Sequence, residues 1–374
     1  MFRLLHSSDL HIGKRFGHLP DDIRGRLREA RHGALARLAD AARQGGVSAV
    51  LLAGDTFDTE TPTPAMLHQA LAAMADHPDL VWIILPGNHD SLLADELWAA
   101  ARGALPPNVR LAATPEPIAL TPNVVLLPAP CTTRRPGRDL TEWMGTAATP
   151  EGMLRIGLAH GPVQDFSEDG AGTDIIAPDR PERAGLDYLA LGDWHGQVRI
   201  GPRAWYSGTP EPDRFKHDRA GHALLVSIAG PGAQPEVTPV ETGRFLWTTR
   251  ELALLGDEVM ADALGSVLPA SGRRDILLRL MVGGRARIAA RTELSAIFDT
   301  LAPHFAHAEM EASGLVTLCE TTDLDLIDRA GALRQAAEDL RTAGEDGAAP
   351  AADRDIAREA LVRLFTYCQA IETA

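Results

Sequence analysis

Apolar segments of strand length alternate with amphipathic segments through the first hundred residues, and this alternation constrains the fold most strongly. Residues 2–6 (FRLLH) and 47–53 (VSAVLLA) have the length and apolar content of strands. Between them, apolar residues recur at steps of three and four before Gly45-Gly46, which predicts an amphipathic helix that ends at the glycines. A strand, a helix and a second strand in this order predict an α/β domain with parallel pairing.

The same alternation continues and then becomes denser in strands. We predict helices over 64–76 and 94–103, and strands over 80–85, 123–128, 154–159 and 186–191. The closely spaced strands after residue 108 indicate more antiparallel pairing. Two long polar loops, 130–152 and 161–182, interrupt these strands, and loops of that length are often functional.

The pattern of elements changes after about residue 244. The sequence predicts two strands, two helices and a hairpin around Gly314, followed by two helices, in the segments 245–254, 256–268, 274–282, 286–301, 323–342 and 353–372. We therefore expect three domains: a large one over 1–244, a small α/β domain over 245–322 and a helical region over 323–374.

Composition excludes several classes of protein. With 374 residues and 45% apolar content, the chain can bury a sizeable core. Its three cysteines are far apart, so neither a disulfide framework nor a thiolate zinc site is indicated. The net charge of −15 opposes bulk attraction to nucleic acid or to an anionic membrane. No apolar run exceeds strand length and no leader pattern follows Met1, so we expect a cytoplasmic protein without a membrane partner.

Side chains able to bind metal follow five of the predicted strands. In chain order they are Asp9 and His11; Asp55 and Asp58; Asn88, His89 and Asp90; His160; and Asp193 and His195. Each group alone is typical of a turn or of a buried histidine. Because ligands bind beyond the carboxyl ends of strands in open α/β sheets, five such groups in succession predict one shared site.

This mixture of ligands suits two divalent cations. Two ions roughly 3.5–4 Å apart can clamp a phosphoryl group during an in-line displacement. A bridging carboxylate holds the ions together, while imidazole and amide ligands complete the site without excess negative charge. Oxygen and nitrogen ligands without cysteine favour manganese, with iron or zinc as alternatives, whereas magnesium is less suited to several histidines.

The order of these motifs resembles the calcineurin-like metallophosphoesterase superfamily over roughly residues 1–228. The segments "LLHSSDLHIGKRF", "LLAGDTFDT", "ILPGNHDS" and "YLALGDWHG", followed by "YSGTPEP", are most similar to the bacterial SbcD-type DNA repair exonucleases. The resemblance implies an α/β sandwich of two central mixed sheets flanked by helices. It also implies that 1–244 is the catalytic domain, that 245–322 is a cap shaping access to DNA, and that C-terminal helices follow.

The resemblance also implies a role for each motif residue. One metal would be held by Asp9, His11 and His195, the other by Asn88, His160 and Asp193, with Asp55 bridging the two. A metal-bound hydroxide would attack phosphorus, and His89 would protonate or stabilise the leaving oxygen. Asp58 would orient His89, with a turn-capping role as the alternative.

Position 193 departs from the family pattern. The last family motif is usually Gly-His-x-His, and Asp193 stands where the first of these histidines is expected. A carboxylate is still a competent ligand for such a cation, although its charge should make the metal a weaker Lewis acid. The alternative is that Asp193 turns away or reaches the metal through water.

Other segments have less specific predictions. Lys14, Arg15 and Phe16 follow the first motif and could grip and stack nucleic acid, with packing of the loop as the alternative. Arg134, Arg135 and Arg138 could meet backbone phosphate, although a solvated loop is the default. The resemblance implies that the apolar stripe of the last helix docks onto an SbcC-type ATPase, with packing on its own domain as the alternative.

The sequence therefore favours a two-metal phosphodiesterase that acts on DNA, in the manner of a DNA repair exonuclease. One alternative is a binuclear phosphodiesterase or phosphatase for nucleotides or other small phosphoesters. Another is a non-catalytic DNA-binding or scaffold protein with a degenerate metal site. A homodimer is compatible with all three.

Overall fold

A computed structural model describes residues 1–163, 175–256, 258–318, 321–328 and 330–372. Part of the predicted loop 161–182 therefore lies outside the described residues. The chain divides into two compact units, Met1–Leu246 and Trp247–Ala374. No helix in the described part of the chain is long and apolar enough to cross a membrane.

The first unit contains twelve strands and four helices among its described residues. The strands are β1 (Phe2–Ser7), β2 (Ala49–Leu52), β3 (Val81–Ile84), β4 (Val109–Leu111), β5 (Ile118–Thr121), β6 (Val124–Ala129), β7 (Leu154–His160), β8 (Tyr188–Gly192), β9 (Val198–Arg199), β10 (Ala204–Tyr206), β11 (His222–Ile228) and β12 (Glu236–Glu241). The helices are α1 (Asp21–Gln44), α2 (Pro64–Ala75), α3 (Asp95–Ala104) and α4 (Arg180–Arg183), and a 3-10 turn spans Glu142–Gly145.

The helices begin and end where local chemistry favours it. The apolar residues of α1, from Ile23 to Ala41, are buried along one side, and the Gly45 amide closes the last turn on the Ala41 carbonyl. At the start of α2, the Thr63 side chain accepts a hydrogen bond from the Met66 amide. Pro64 occupies the first helical position, where no amide hydrogen is needed.

The strands form two six-stranded sheets. The first has the order β12-β11-β1-β2-β3-β4. Strands β1 to β4 run parallel, β11 is antiparallel to β1, and β12 is antiparallel to β11. The second has the order β5-β6-β7-β8-β10-β9. The predicted excess of antiparallel pairing after residue 108 is wrong for its centre, because β6, β7, β8 and β10 are parallel. The segments between β6 and β7 and between β7 and β8 are long enough for the crossovers that parallel neighbours need.

The two sheets pack face to face, as the predicted sandwich requires. Leu4, Leu51 and Ile83 of the first sheet share one buried cluster with Leu126 and Leu158 of the second. The opposite face of the first sheet packs against α1, α2 and α3. Since β1, β2 and β3 are parallel, and β7 and β8 are also parallel, the carboxyl ends of each set lie at one edge of their sheet.

The second unit is a smaller α/β arrangement. Its elements are β13 (Leu246–Leu254), α5 (Met260–Val267), β14 (Ile276–Arg287), α6 (Ile288–Leu301), β15 (His307–Leu318), α7 (Thr321–Asp325), α8 (Ala332–Glu345) and α9 (Ala351–Glu372). The sheet order is β13-β14-β15, and β14 and β15 are parallel. The predicted hairpin around Gly314 is wrong, because β15 continues through Gly314, which pairs with Gly283. The helix predicted over 323–342 is interrupted between α7 and α8.

The apolar stripe of α9 mostly packs within the second unit. Leu361 and Phe365 are buried in one cluster with Ile288 and Leu324. Ile356 and Ile371 are instead 67% and 77% exposed. The structure therefore supports the packing alternative for the centre of the stripe and leaves its ends at the surface.

Candidate metal centre

The predicted ligands stand at strand ends with an uncommon backbone conformation. Six described non-glycine residues have a positive φ, and four of them are predicted ligands: Asp9, His11, Asp55 and Asp193. Such conformations cost roughly 1–3 kcal/mol each and persist only where surrounding contacts impose them. Here the Asp9 amide bonds to the Gly54 carbonyl and the His11 amide to the Asp55 carbonyl, which joins the first two motifs.

Three predicted histidine ligands are oriented by contacts to one ring nitrogen. His160 Nδ1 is 2.8 Å from the Ala53 carbonyl, so in the neutral ring this nitrogen carries the hydrogen and Nε2 keeps the lone pair that a metal would use. His195 Nδ1 is 3.2 Å from Asp213 Oδ1, and His11 Nδ1 is 3.2 Å from Asp58 Oδ1. Metal-binding histidines are typically fixed in this way by a carbonyl or carboxylate.

The Nε2 atoms of His11, His160 and His195 lie close to one another or to the carboxylate of Asp55. His11 Nε2 and His195 Nε2 are 3.1 Å apart. Asp55 Oδ2 lies 3.6 Å from His11 Nε2 and 3.5 Å from His160 Nε2, which places this carboxylate between the two groups. The approach of Asp55 needs Gly87, because a side chain there would begin 2.2 Å from Asp55 Oδ1.

Asn88 and Asp193 form the far side of the cluster. The Asn88 side-chain amide donates to Asp193 Oδ1 at 3.1 Å, and Asp193 Oδ1 lies 3.8 Å from His160 Nε2. Asn88 Oδ1 is buried and makes no hydrogen bond to any described residue, and the same holds for His160 Nε2. A cation would satisfy both atoms, so the residues present fit a metal.

The charges of the cluster also fit cations. Asp9, Asp55 and Asp193 are all at least nine-tenths buried. Burial raises the pKa of Asp193 to about 7. Burial would lower the pKa of His160, but Asp55, Asp9 and Asp193 outweigh it and raise this pKa well above its ordinary value. Carboxylates gathered out of water in this way are stabilised by bound positive charge.

His89 and Asp58 contact each other differently from the prediction. His89 Nδ1 is 2.9 Å from the main-chain oxygen of Asp58, whereas the Asp58 carboxylate faces His11. The His89 amide donates to Asp55 Oδ1 at 2.9 Å, and its ring lies edge-on to His11 with 4.8 Å between centroids. His89 is therefore held beside the predicted ligands by the backbone of Asp58, and its Nε2 is the nitrogen left for other contacts.

Asp90 holds the third motif in place. Its carboxylate accepts hydrogen bonds from the amides of Gly87 and Phe57, at 2.6 and 3.0 Å. Burial is the main cause that raises the pKa of Asp90 to about 7. Asp90 therefore connects the loops after β2 and β3 and fixes the turn that carries Asn88 and His89.

Asp213 contacts the predicted ligand His195, which the sequence did not reveal. Its carboxylate lies 2.6 Å from Lys14 Nζ, 3.0 Å from Arg214 Nε and 3.7 Å from a guanidinium nitrogen of the buried Arg31, in addition to His195. Burial would raise the pKa of Asp213, but His195, Arg31 and Lys14 outweigh it and hold this pKa well below its ordinary value. Its only sequence signal was its place after the "YSGTPEP" segment.

The three residues of the predicted substrate loop have different environments in the structure. Lys14 is paired with Asp213, and Arg15 is exposed. Phe16 is only 3% exposed and packs under the Arg31 guanidinium at 5.6 Å, so its ring offers no open face to a base. The burial supports the loop-packing alternative for Phe16.

Comparison with known proteins identifies the family. The model of the calcineurin-like phosphoesterase family matches residues 2–217, which is more than half of the chain. The chain belongs to the calcineurin-like phosphoesterase family. This span includes every predicted ligand and both central sheets up to β10.

Three known proteins are similar in sequence to this chain. The DNA double-strand break repair protein Mre11 of Methanosarcina acetivorans is 24% identical over 257 residues, 67% of this chain and 40% of that protein. The uncharacterized metallophosphoesterase YhaO of Bacillus subtilis is 27% identical over 240 residues, 60% of this chain and 57% of YhaO. The SbcD component of the nuclease SbcCD of Bacillus subtilis is 34% identical over 103 residues, 26% of this chain and 24% of SbcD. The chain thus spans less than two thirds of each of these relatives.

Proposed function

We propose that this protein is a two-metal phosphodiesterase that cleaves DNA. The observation that carries the hydrolytic part is the position of Asp55 Oδ2, within 3.6 Å of the Nε2 atoms of both His11 and His160. Asp9, His11 and His195 would hold one cation, and Asn88, His160 and Asp193 the other. Two divalent cations, with manganese favoured, would supply the nucleophilic water and neutralise charge on the phosphate.

His89 would assist the leaving group. Its Nδ1–H is directed at the main-chain oxygen of Asp58, so Nε2 is the atom that exchanges a proton with the substrate. When Nε2 is protonated, His89 can donate to the departing oxygen. Asp58 would act as a positioning residue for both His89 and His11, through its main-chain oxygen and its carboxylate respectively.

One observation favours a phosphate ester of either kind, and another favours DNA. Arg134 and Arg138 are exposed and line a small cavity together with Asn88 and His160. Arginines beside such a site are suited to phosphate groups, in DNA or in a small ester. In addition, two of the relatives are named as a DNA repair protein and a component of a nuclease.

One observation favours the alternative of a small phosphoester. The net charge of −15 weakens long-range attraction to a polyanion. A phosphodiesterase or phosphatase for nucleotides would use the same metal centre, so the substrate must be decided by assay.

The second unit would control the access of DNA to the metal centre and would bind a partner protein. We propose that its small sheet and helices form a cap, and that α9 contacts an SbcC-type ATPase. Ile356, Tyr367 and Ile371 are 67%, 67% and 77% exposed, and their spacing places them on one side of α9. Arg363 lies on the same side and is also exposed, so this face combines apolar residues with a cation. An amphipathic helical face can bind in a groove of a partner protein.

A substrate comparison with Mn²⁺ tests the proposal. End-labelled linear DNA, bis(p-nitrophenyl) phosphate and nucleoside monophosphates are incubated with the purified protein, with EDTA as the control. We expect degradation of DNA and turnover of the diester, both lost in EDTA. Turnover confined to monophosphates or other small esters would refute the DNA part, and no turnover of any ester would refute the enzymatic part.

A further inference from the structure

A second cavity, of about 320 Å³, opens beside the metal centre next to His195. We call it the His195 cavity. Its wall comes from the turn after β8 and from the segment that follows β10, and includes Trp194, Gln197, Thr209, Arg214, Lys216 and Arg219. The cavity also reaches Asp213, so it touches both a predicted ligand and the residue that orients that ligand.

One wall of the cavity combines a cation with aromatic rings. Lys216 Nζ lies 4.4 Å from the centroid of the Trp194 ring, a distance typical of a cation–π contact. The His217 ring meets Trp194 edge-on, with 5.3 Å between centroids. These contacts hold the Lys216 charge at the cavity wall while its side chain remains exposed.

The turn before this wall is tightly packed. A side chain at Gly196 would begin 2.7 Å from His217 Nδ1 and 2.8 Å from Trp194 Nε1. Only glycine allows both rings to approach the backbone here. The aromatic wall is therefore fixed by the same turn that carries His195.

The charge of the cavity is positive overall. Its two acidic lining residues are Asp213 and Asp218. Asp213 is already surrounded by Lys14, Arg31 and Arg214. Lys216 and Arg219 add two further cations to the wall, while Asp218 is exposed. A cavity with this balance favours an anionic ligand.

We propose that the His195 cavity holds one unstacked nucleotide of the DNA strand, adjacent to the phosphate being cleaved. This inference rests on the proposed DNA phosphodiesterase function and extends it to a preference for single-stranded ends. Lys216 and Arg219 would bind the phosphate of that nucleotide, and the Trp194 and His217 rings would form the apolar wall for its base.

The small size of the His195 cavity is the reason why we expect the protein to prefer single-stranded DNA. Ligand pockets range over roughly 300–1,000 Å³, and the His195 cavity, at about 320 Å³, lies at the small end of this range. It accommodates about one nucleotide. A base within a duplex is stacked on its neighbours and paired, so it must first leave the helix, which costs free energy. A strand that is already unpaired avoids this cost.

Binding without cleavage tests the proposal. A fluorescently labelled oligothymidylate and a duplex of the same length are titrated with the protein in EDTA, and anisotropy gives each affinity. We expect tighter binding of the single strand, and a loss of about tenfold in Lys216→Ala, because one charge-assisted phosphate contact is removed. Trp194→Leu should weaken binding of the single strand as well, provided that circular dichroism shows the native fold.

Arg199→Ala is the matched control. The Arg199 guanidinium lies 5.5 Å from the Trp205 ring, a similar cation–π pair between β9 and β10 that does not line the cavity. We expect this variant to bind the single strand like the wild type. Equal losses in Lys216→Ala and Arg199→Ala, or no loss in either, would refute the cavity assignment, and so would equal affinity of the wild type for duplex and single strand.

A parallel cleavage assay separates the two proposals. If the wild type degrades DNA with Mn²⁺ but Lys216→Ala binds the single strand normally, only the cavity assignment fails. If the wild type does not degrade DNA under any metal condition, the proposed function fails and this inference fails with it.

Discussion

Replacing Asp213 with asparagine tests how the metal centre is oriented. The Asp213 carboxylate lies 3.2 Å from His195 Nδ1 and 2.6 Å from Lys14 Nζ. Asparagine keeps the shape but removes the charge that fixes the His195 ring and strengthens Nε2 as a ligand. Loss of such a contact typically lowers metal affinity about 10–100-fold, or about 1.4–2.7 kcal/mol.

The fold should survive this substitution. The buried Arg31 guanidinium also donates to the main-chain oxygens of Leu10 and Glu211, at 2.5 and 3.0 Å, so it is not left without acceptors. Isothermal titration calorimetry with Mn²⁺ measures the affinity, and circular dichroism checks the fold. An affinity within about twofold of the wild type would refute the assigned role of Asp213.

Asp187→Asn is the control for general effects on stability. Asp187 is also a buried carboxylate, paired with Arg203 at 3.3 Å and bonded to the amides of Arg155 and Gly232, but it contacts no predicted ligand. We expect its Mn²⁺ affinity to match the wild type. Equal losses of affinity in both variants would mean that the effect of Asp213→Asn is not local.

Substitutions at three further positions have defined outcomes. His89→Ala should retain two Mn²⁺ per chain by elemental analysis yet lose about 10²–10⁴-fold in turnover of a diester, whereas loss of metal would make His89 a ligand. Asp193→His should keep both ions and Asp193→Ala should lose one; unchanged metal content in Asp193→Ala would refute direct ligation. Burial lowers the pKa of His6 to about 3, so only the unfolded chain takes up this proton between about pH 6.5 and 3, and stability falls as pH falls. Urea unfolding should therefore show that the free energy of unfolding of the wild type exceeds that of His6→Gln by about 2 kcal/mol less at pH 5 than at pH 7. The same difference at both pH values would refute this.

The sequence predicted those features that depend on a few consecutive residues. The strands that precede Asp9 and Asp55 and the strand that ends at His160 could be placed because each apolar run stops at a polar motif, and the motif order indicated the family. Helix α1 followed from its apolar spacing and its glycine stop. In each case the signal lies within a few consecutive residues.

Three features that depend on distant pairing were not predicted. The parallel pairing of β6, β7 and β8 depends on crossovers through long polar loops, whose paths the sequence does not reveal. For the same reason, Gly314 was taken for a turn although it pairs with Gly283 inside a long strand. Asp213 was missed because its partner His195 is brought to it by the fold of the intervening β9 and β10.

The most direct test of a two-metal centre is anomalous diffraction from a crystal soaked in Mn²⁺. We expect two peaks roughly 3.5–4 Å apart, with Asp55 between them. One peak should be bound by Asp9, His11 and His195, and the other by Asn88, His160 and Asp193. A single peak, or two peaks without Asp55 as a shared ligand, would contradict the central claim.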